Sequence, residues 1–378
     1  MRLAEITPVS FRNLSPDAVA VVAGVTLVAG DNAQGKTNLL EAVAVLSGRR
    51  SFRAAAPFEM APDGQRFAVS GVLRRSFDSE RLSLSWSRTG GRRFLRGEKG
   101  ATFREASALL PAVFLAPEHR ELVEGGPGVR RRFLDRLVLG LFPAAGDDLA
   151  RYERAVRSRN VLLARWRDRQ GEPAPGELEA WTEELALAGT AVRQHRRRAL
   201  SDWIAFFAPL ARDHGPAYGA IEAVYSAGAK AGEGTGADDE SAENLRAACQ
   251  RLLQAERRRG HSLAGPHRDD LLWTRGGKPL AETASSGEVH RVAALVRLAE
   301  WHAVAKAAGE PPLFGADDFD MGLSPAGADA FWALLPEGAA VILTTASDPA
   351  RWKRRAAAVY EMRQGSAMAH AARRAVND

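Results

Sequence analysis

The run Gly30-Asp31-Asn32-Ala33-Gln34-Gly35-Lys36-Thr37 satisfies the pattern G-x-x-x-x-G-K-[ST] in full, and the chemistry of that pattern is phosphate binding. Glycines let the backbone curl until successive N–H groups face one anion, and a helix starting there adds the positive end of its dipole. Lys36 can reach the β- and γ-phosphates, and the Thr37 hydroxyl can ligate Mg²⁺. An apolar run from Ala18 to Val28 precedes the loop, and Asn38-Leu-Leu-Glu-Ala-Val-Ala-Val-Leu46 follows it. A glycine-rich turn that happens to precede a helix is the bland alternative. The strand–loop–helix context favours a nucleoside triphosphate cradled by residues 30–38.

Two further groups narrow the class of NTPase. Leu313-Phe-Gly-Ala-Asp317-Asp318-Phe-Asp320 has the order of a Walker B segment, a strand ending in adjacent carboxylates. Asp317 would hold Mg²⁺ through its water shell, and Asp318 would sit where a water attacks the γ-phosphate. Gly315 and Ala316 interrupt the apolar run, and an Asp-Asp pair is also an ordinary solvated turn. About 30 residues earlier stands Ser285-Ser286-Gly287-Glu288, ahead of a strongly helical stretch. Ser285-x-x-Glu288 is a capping box that any helix could carry. The same geometry offers free N–H groups and a hydroxyl to the γ-phosphate of an ATP held by another copy of the chain.

These pieces need a scaffold of two kinds. Residues 1 to about 115 read as short strands, among them Phe67–Leu73, Arg81–Ser87 and Arg92–Leu95. From roughly Gly128 to Ala211 the apolar spacing turns helical, with Tyr152, Val156, Leu163 and Trp166 near a 3.6-residue period. Gln170 to Glu177 breaks that stretch. Ala227 to Ser241 is low in complexity and reads as a surface loop. A helix from about Ala242 to Arg258 follows it, then strand signals after Gly260, a helix from Val289 to Ala308 and a short buried strand, Val341–Thr345.

The 378 residues suffice for two domains. Six lysines stand against 46 arginines, and the net charge is +6. Arginine's planar fork suits phosphate oxygens, so a nucleic-acid partner is plausible, as is a general arginine preference. Cys249 is alone, which excludes an internal disulfide and a cysteine-based zinc site. With no signal-like N-terminus and no long apolar run, the expected location is the cytoplasm.

Walker A, then Ser-x-Gly-Glu, then Asp-Asp resembles the ABC-type ATPase heads of the structural maintenance of chromosomes class. Within it the chain resembles the RecF family of bacterial DNA replication and recombinational repair. Phe11-Arg12-Asn13-Leu14, Lys36 to Ala42, Ala116 to Val123 with Arg130 to Asp135, and Gly265-Pro-His267-Arg268-Asp269-Asp270-Leu271 carry the match. The similarity runs from about residue 3 to 346. It implies an α/β fold: a P-loop ABC-type ATPase lobe made of residues 1–117 and 289–378, with an inserted helical lobe, 118–288, bearing the signature loop. It implies homodimers closed around two ATP molecules, slow hydrolysis used as a switch, and binding of double-stranded DNA. It also implies cooperation with RecR and RecO in loading recombinase at gaps. Arg130, Arg131, Arg132, Arg196, Arg197 and Arg198 are the candidate DNA contacts, with Arg257 to Arg259 as a further cluster.

The chain departs from the family in places. Ala33 stands where glycine is usual, and would cost roughly 1–2 kcal/mol if the backbone there is left-handed. Met321-Gly322-Leu323-Ser324 replaces a small residue followed by Glu, Leu and Asp, which puts communication between the two ATP sites in question. Thr344 or Thr345, with Thr345 the preferred candidate, stands where many ABC ATPases have a γ-phosphate-sensing histidine. Glu118 falls near the loop that carries a metal-contacting glutamine. Two functions remain open: a DNA-binding ATPase switch, and a nucleotide-gated scaffold that scarcely turns over.

Overall fold

Why Gly315 interrupts an otherwise apolar strand becomes clear from its neighbours: a Cβ there would lie 2.6 Å from the Phe114 ring and 2.7 Å from Leu40. The strand Leu313–Ala316 is fully buried, and only a hydrogen fits on that face. In the computed structural model, residues 2–75, 78–214, 220–228, 241–321, 323–346 and 349–370 are described. Most of the low-complexity stretch 227–241, and Gly322, lie outside the described residues.

The chain divides into two units, Met1–Arg120 with Ser285–Asp378, and Glu121–Ala284. The first is built on two six-stranded sheets. One is antiparallel, with strands in the order Val19–Ala20, Arg2–Val9, Arg66–Arg74, Ser79–Ser87, Gly91–Arg96 and Lys99–Ala101. The other runs Ser366–Ala369, Ala358–Arg363, Gly24–Ala29, Ala340–Thr345, Leu313–Ala316 and Ala112–Leu115, and is parallel except for its first strand. Parallel strands covered on both faces read as continuous apolar runs, and Ala340–Thr345 is buried at every residue.

The helix Lys36–Leu46 lies between the sheets. Nine of its eleven residues are buried, as expected of a helix that is apolar on all sides. Leu39, Leu40 and Val43 share one core with Leu3, Ile6, Phe67 and Val69 of the antiparallel sheet and Ile342 of the parallel one. The parallel sheet puts the Ala340–Thr345 strand between the Gly24–Ala29 strand that feeds the phosphate loop and the Leu313–Ala316 strand that ends in the two aspartates. The loop and the carboxylates therefore flank the C-terminal end of a shared neighbour, where ligands of open α/β sheets gather.

The second unit is mainly helical: Pro127–Leu141, Gly146–Arg167, Glu177–His214 and Ala242–Arg259, with a three-stranded sheet of Ile221–Ser226, Asp270–Arg275 and Lys278–Pro279. Arg159 is buried among the helices, donating to Glu256 Oε2 at 2.6 Å and to the Thr182 and Ser262 hydroxyls at 2.9 Å. No described helix is long and apolar enough to cross a membrane.

The Ser285 loop departs from its expected place in the inserted lobe. Ser285 caps the helix Ser286–Ala308, whose residues Val289, Val292, Leu295 and Val296 are buried, and this helix belongs to the first unit. A cap goes where its helix goes.

Gly315→Val adds three carbons to a site without room for one, and overpacking of this kind costs about 1–3 kcal/mol. Urea denaturation should give a lower midpoint of that size, and an unchanged midpoint would contradict the packing described.

Candidate functional site

Local sequence builds the phosphate loop. Gly30 has φ +152° and a Cβ on it would meet the Met362 carbonyl oxygen at 2.6 Å; Gly35 has φ +116° and packs against Asn13. Both positions therefore need glycine. Ala33 has φ +63°, so the backbone there is left-handed, and an L-residue carries the strain the departure from glycine implied. The C-terminal hairpin steadies the loop from outside: the Gln364 N–H donates to Gln34 Oε1 at 2.7 Å and the Gly365 N–H to the Gln34 carbonyl at 2.8 Å.

Lys36 is 4% exposed. Its Nζ donates to the Gly30 and Asp31 carbonyls at 2.9 and 3.0 Å, and lies 3.9 Å from Asp318 Oδ1. The lysine thus ties off its own loop while its third proton remains for an anion. Thr37 Oγ1 lies 3.0 and 2.8 Å from the two Asp317 oxygens, donating its proton to that carboxylate. This contact joins the phosphate loop to the carboxylate strand across 280 residues of sequence.

The strand between them supplies Thr344. Its hydroxyl donates to Asp317 Oδ1 at 2.7 Å and accepts the Asp318 N–H at 2.7 Å. The preference for Thr345 as a phosphate sensor is corrected here, because its hydroxyl bonds both Asp320 oxygens, at 2.9 and 2.8 Å. Asp320 also accepts the Trp352 indole N–H at 2.9 Å, so that third aspartate is a structural anchor.

Asp317 is 3% exposed, and its pKa is pushed up to about 6 by burial and by the neighbouring Asp318 charge, against the pull of the Thr344 and Thr37 hydroxyls. Asp318 sits at φ +41°, a conformation that aspartate tolerates better than most residues. Its Oδ1 is buried with no hydrogen-bond partner. An unpartnered carboxylate oxygen facing a lysine is an observation that fits a polar occupant, since such atoms are rarely left alone. The hydroxyl and carboxylate oxygens of Thr37 and Asp317 are hard donors of the type Mg²⁺ takes together with substrate phosphates.

A cleft of about 470 Å³ brings together Asn32, Ala33, Gly35, Lys36, Thr37, Asn38, Asp317 and Asp318, with Arg12, Arg53, Pro117 and Glu118 completing it. The expectation for Glu118 placed it near this region, and it lines the cleft. Arg12 and Arg53 escaped sequence reasoning as site residues. Arg12 makes a bidentate pair with the buried Glu41 at 2.9 and 3.0 Å, and Arg53 donates to Asn38 Oδ1 at 3.0 Å. Only the Phe11-Arg12-Asn13 resemblance pointed to the first, and nothing in the sequence marked the second.

Ser285 to Glu288 do not line this cleft. Ser285 and Ser286 are exposed. The capping box is present, with the Ser285 N–H donating to Glu288 Oε2 at 2.8 Å and the Glu288 N–H to Ser285 Oγ at 3.4 Å. The two readings of this loop are compatible, because a hydroxyl that accepts from Glu288 keeps its own proton to donate.

Two of the candidate DNA contacts are corrected. Arg130 is 8% exposed and bonds Asp270 through two nitrogens at 2.8 Å. Arg196 is 3% exposed and bonds Asp135 at 2.8 Å and the Pro266 carbonyl at 2.8 Å. Their guanidinium groups hold the unit together. Arg131 is half-buried and donates to the Asp269 carbonyl, whereas Arg132 and Arg198 are exposed and Arg197 lies over the Tyr225 ring. The Gly265–Leu271 segment is structural in the same sense: His267 bonds the Tyr152 hydroxyl, and buried Asp269 binds Arg193 and Tyr225.

No family model matches the chain. It is 34% identical over 330 residues to the DNA replication and repair protein RecF of Deinococcus deserti, covering 86% of this chain and 84% of the relative. The RecF proteins of Gloeobacter violaceus, 33% identical over 89% of both chains, and of Myxococcus xanthus, 33% identical over 91% and 90%, are similar to a comparable degree. A solved structure of the recombination mediator protein RecF with ATP in the RecFOR pathway matches with a TM-score of 0.86 at 25% identity, over 98% of each chain. A Pyrococcus furiosus Smc head domain matches with a TM-score of 0.53 at 15% identity, over 98% of this chain and 96% of that one, a likeness of fold alone. The fold is that of an ABC-type ATPase head with a helical insertion.

Two outcomes follow from the geometry. Asp317 has a native pKa above its ordinary 3.8, so its contribution to stability is complete below about pH 4 and is lost as pH rises through 6. Asp317→Asn should therefore stabilise the nucleotide-free protein by about 1–3 kcal/mol at pH 7.5 and by little at pH 4, in urea titrations at both pH values. A gain that does not depend on pH would contradict the buried-charge account. Ala33→Gly relieves the left-handed strain but loosens the unfolded chain, so thermal unfolding should rise by an amount equivalent to about 0.5–1 kcal/mol; a fall would contradict it.

Proposed function

The chain belongs to the RecF family of DNA replication and repair proteins, and we propose that it acts as an ATP-dependent, DNA-binding switch of recombinational repair, dimerising on ATP. The observation that carries this reading is the split site: a complete phosphate cleft on one face of the chain and an exposed Ser285 loop that takes no part in it. A second copy supplies the missing loop, and each of two ATP molecules bridges two chains.

The residues divide the work. Backbone N–H groups of residues 31–37 and the Lys36 ammonium hold the phosphates. Thr37 and Asp317 are the residues that would hold Mg²⁺, which would offset the negative charge of the phosphates. Asp318, fixed through its N–H by Thr344, accepts a proton from water approaching the γ-phosphate. The Ser285 hydroxyl and the free N–H groups of Ser286 and Gly287 close over the same phosphate from the partner subunit. ATP stabilises the closed dimer in proportion to its preference for that state over open chains; at 1,000 times the dissociation constant one site supplies about 4 kcal/mol.

Closure doubles the cationic surface offered to double-stranded DNA. Exposed Arg132 and Arg198, with Arg131 and Arg197 beside them, are the contacts that remain after the buried arginines are removed. Each phosphate neutralised steepens the salt dependence of binding. RecR and RecO type proteins are the partners, and loading of recombinase at gaps is the outcome. A second reading, an ATP-gated scaffold with negligible turnover, is favoured by the uncharged Met321 to Ser324 segment, and phosphate release with and without duplex separates it from the first.

Ser285→Arg should leave ATP binding by the single chain within about twofold and abolish the dimer formed with a slowly hydrolysed ATP analogue. Sedimentation of wild type and variant with and without the analogue decides it. A variant that still dimerises would sink the trans-acting role of the loop.

A further inference from the structure

Asp318 holds a left-handed backbone, φ +41°. In a residue other than glycine such a conformation persists only where its surroundings over-determine it. Upstream, Thr344 Oγ1 accepts the Asp318 N–H and donates to Asp317 Oδ1, each at 2.7 Å. Downstream stands Asp320, two residues on and 7% exposed. The Thr345 hydroxyl donates to its carboxylate, 2.9 and 2.8 Å from the two oxygens, and the Trp352 indole N–H donates to Oδ2 at 2.9 Å. Among the described residues, these neutral donors alone hold that carboxylate.

A buried carboxylate without a cation beside it is a costly choice. Its surroundings are apolar: the fully buried Phe319 ring lies 5.0 Å from Trp352 and 5.7 Å from Phe331, centroid to centroid. Packing alone would be met by an aliphatic side chain, which needs no partners. What aspartate adds is direction. Thr344 and Thr345 project to opposite faces of their strand, so together they hold residues 317–320 from both sides. Trp352 meets the turn twice, by its N–H at Asp320 and by its ring at Phe319. It is itself stacked on Trp332, with centroids 5.2 Å apart and planes 6° from parallel. The Met321 N–H closes the turn on the Asp318 carbonyl at 2.9 Å.

We propose that Asp320 is a positioning residue: held by Thr345 and Trp352, it fixes the turn that keeps Asp318 left-handed and its carboxylate 3.9 Å from Lys36. The proposal rests on the hydrolytic role given to Asp318 above. Asp320 does not line the phosphate cleft and acts only through the backbone of residues 318–320. Losing its bonds therefore lets the Asp318 carboxylate swing, while Lys36, Thr37 and Asp317 keep the partners that place them. The signature is a fall in turnover without a fall in affinity for ATP.

The test compares wild type, Asp320→Leu and Asp320→Asn as full-length chains, with Lys36→Arg and Asp318→Asn as controls. Three quantities are measured: steady-state phosphate release with Mg²⁺ and ATP, binding of a slowly hydrolysed ATP analogue, and amide hydrogen exchange without nucleotide. Asp320→Leu should lower kcat by about tenfold, as a displaced reacting group does, and leave analogue affinity within about twofold. Exchange at residues 318–321 should quicken by a similar factor while that of the helix Lys36–Leu46 stays unchanged. Because Oδ2 accepts from both Thr345 and Trp352, an asparagine with its carbonyl there keeps both bonds. Asp320→Asn should accordingly return kcat and exchange to within about threefold of wild type. Wild-type exchange at 318–321 in Asp320→Leu overturns the proposal, and so does an asparagine no better than leucine. A loss of analogue affinity as large as the loss of kcat overturns it too, as the mark of a merely structural role. Wild type that releases phosphate no faster than Lys36→Arg, or Asp318→Asn as fast as wild type, sinks the hydrolytic reading instead. Exchange at 318–321 and its rescue by asparagine then still decide whether Asp320 holds the turn.

Discussion

An ammonium group with 4% exposure has to be held by dipoles and carboxylates, and Lys36 sets the terms for everything around it. Burying a charge without partners is prohibitive. The Gly30 and Asp31 carbonyls turn inward to accept from it, which requires the left-handed and extended glycine geometry of the loop. Asp318 stands at 3.9 Å because its backbone is bent into a left-handed conformation and pinned by Thr344. That pin exists because the Ala340–Thr345 strand lies between the two motif strands. Gly315 keeps the neighbouring strand close enough for its aspartates to arrive at the same point. Strand order, one small residue and one threonine hydroxyl are thus all consequences of placing a single cation.

Much of the site was legible because its parts are local. The phosphate loop, the helix after it and the Ser285 capping box depend on residues within about eight positions of one another, and local patterns carry their own physics. The strands between Phe67 and Leu95, the helices at 242–258 and 289–308 and the strand at 341–345 also follow from residue pattern, to within three residues at their ends, whereas Arg2–Val9, Ala112–Leu115 and Ala358–Arg363 were not singled out. Arg12 and Arg53 were not legible as site residues, and between Thr344 and Thr345 the sequence leaned to Thr345, since each of these residues acquires its role from a partner elsewhere in the chain. Thr344 and Thr345 are adjacent and chemically identical. Only the pleat, which sends successive side chains to opposite faces, decides that one meets Asp317 and the other Asp320.

The arginine runs illustrate the opposite failure. Three consecutive residues on a helix are spread through about 200°, so a triplet on a helix that packs on one side must point at least one member inward. In 130–132 the inward member is Arg130, and in 196–198 it is Arg196. Each then needs a carboxylate, which Asp270 and Asp135 provide. Reading a charge run as a uniform surface ignores this geometry. The exposed remainder, Arg132 and Arg198, is what a solvent-side polyanion can reach.

The segment Met321 to Ser324 looks in the sequence like a plain loss of function, yet its last residue keeps a structural task. Ser324 caps the helix Pro325–Ala333, its side chain accepting the Gly327 N–H at 3.1 Å, with Pro325 at the first helical position. Aspartate, usual at this place in the family, is an equally good cap. The exchange therefore conserves the helix start and removes only charge. What the proposed dimer would lose by it is the ability to report across its interface by electrostatics. In that proposed dimer, a chain that gives up long-range charge but retains the hydrogen-bonded turn at Asp318 and the Thr344 latch would have to pass any signal between sites by displacement of packed groups, which salt does not screen. If the proposed dimer forms, coupling of its two ATP sites should accordingly be insensitive to ionic strength, whereas the proposed binding of DNA should weaken with added salt.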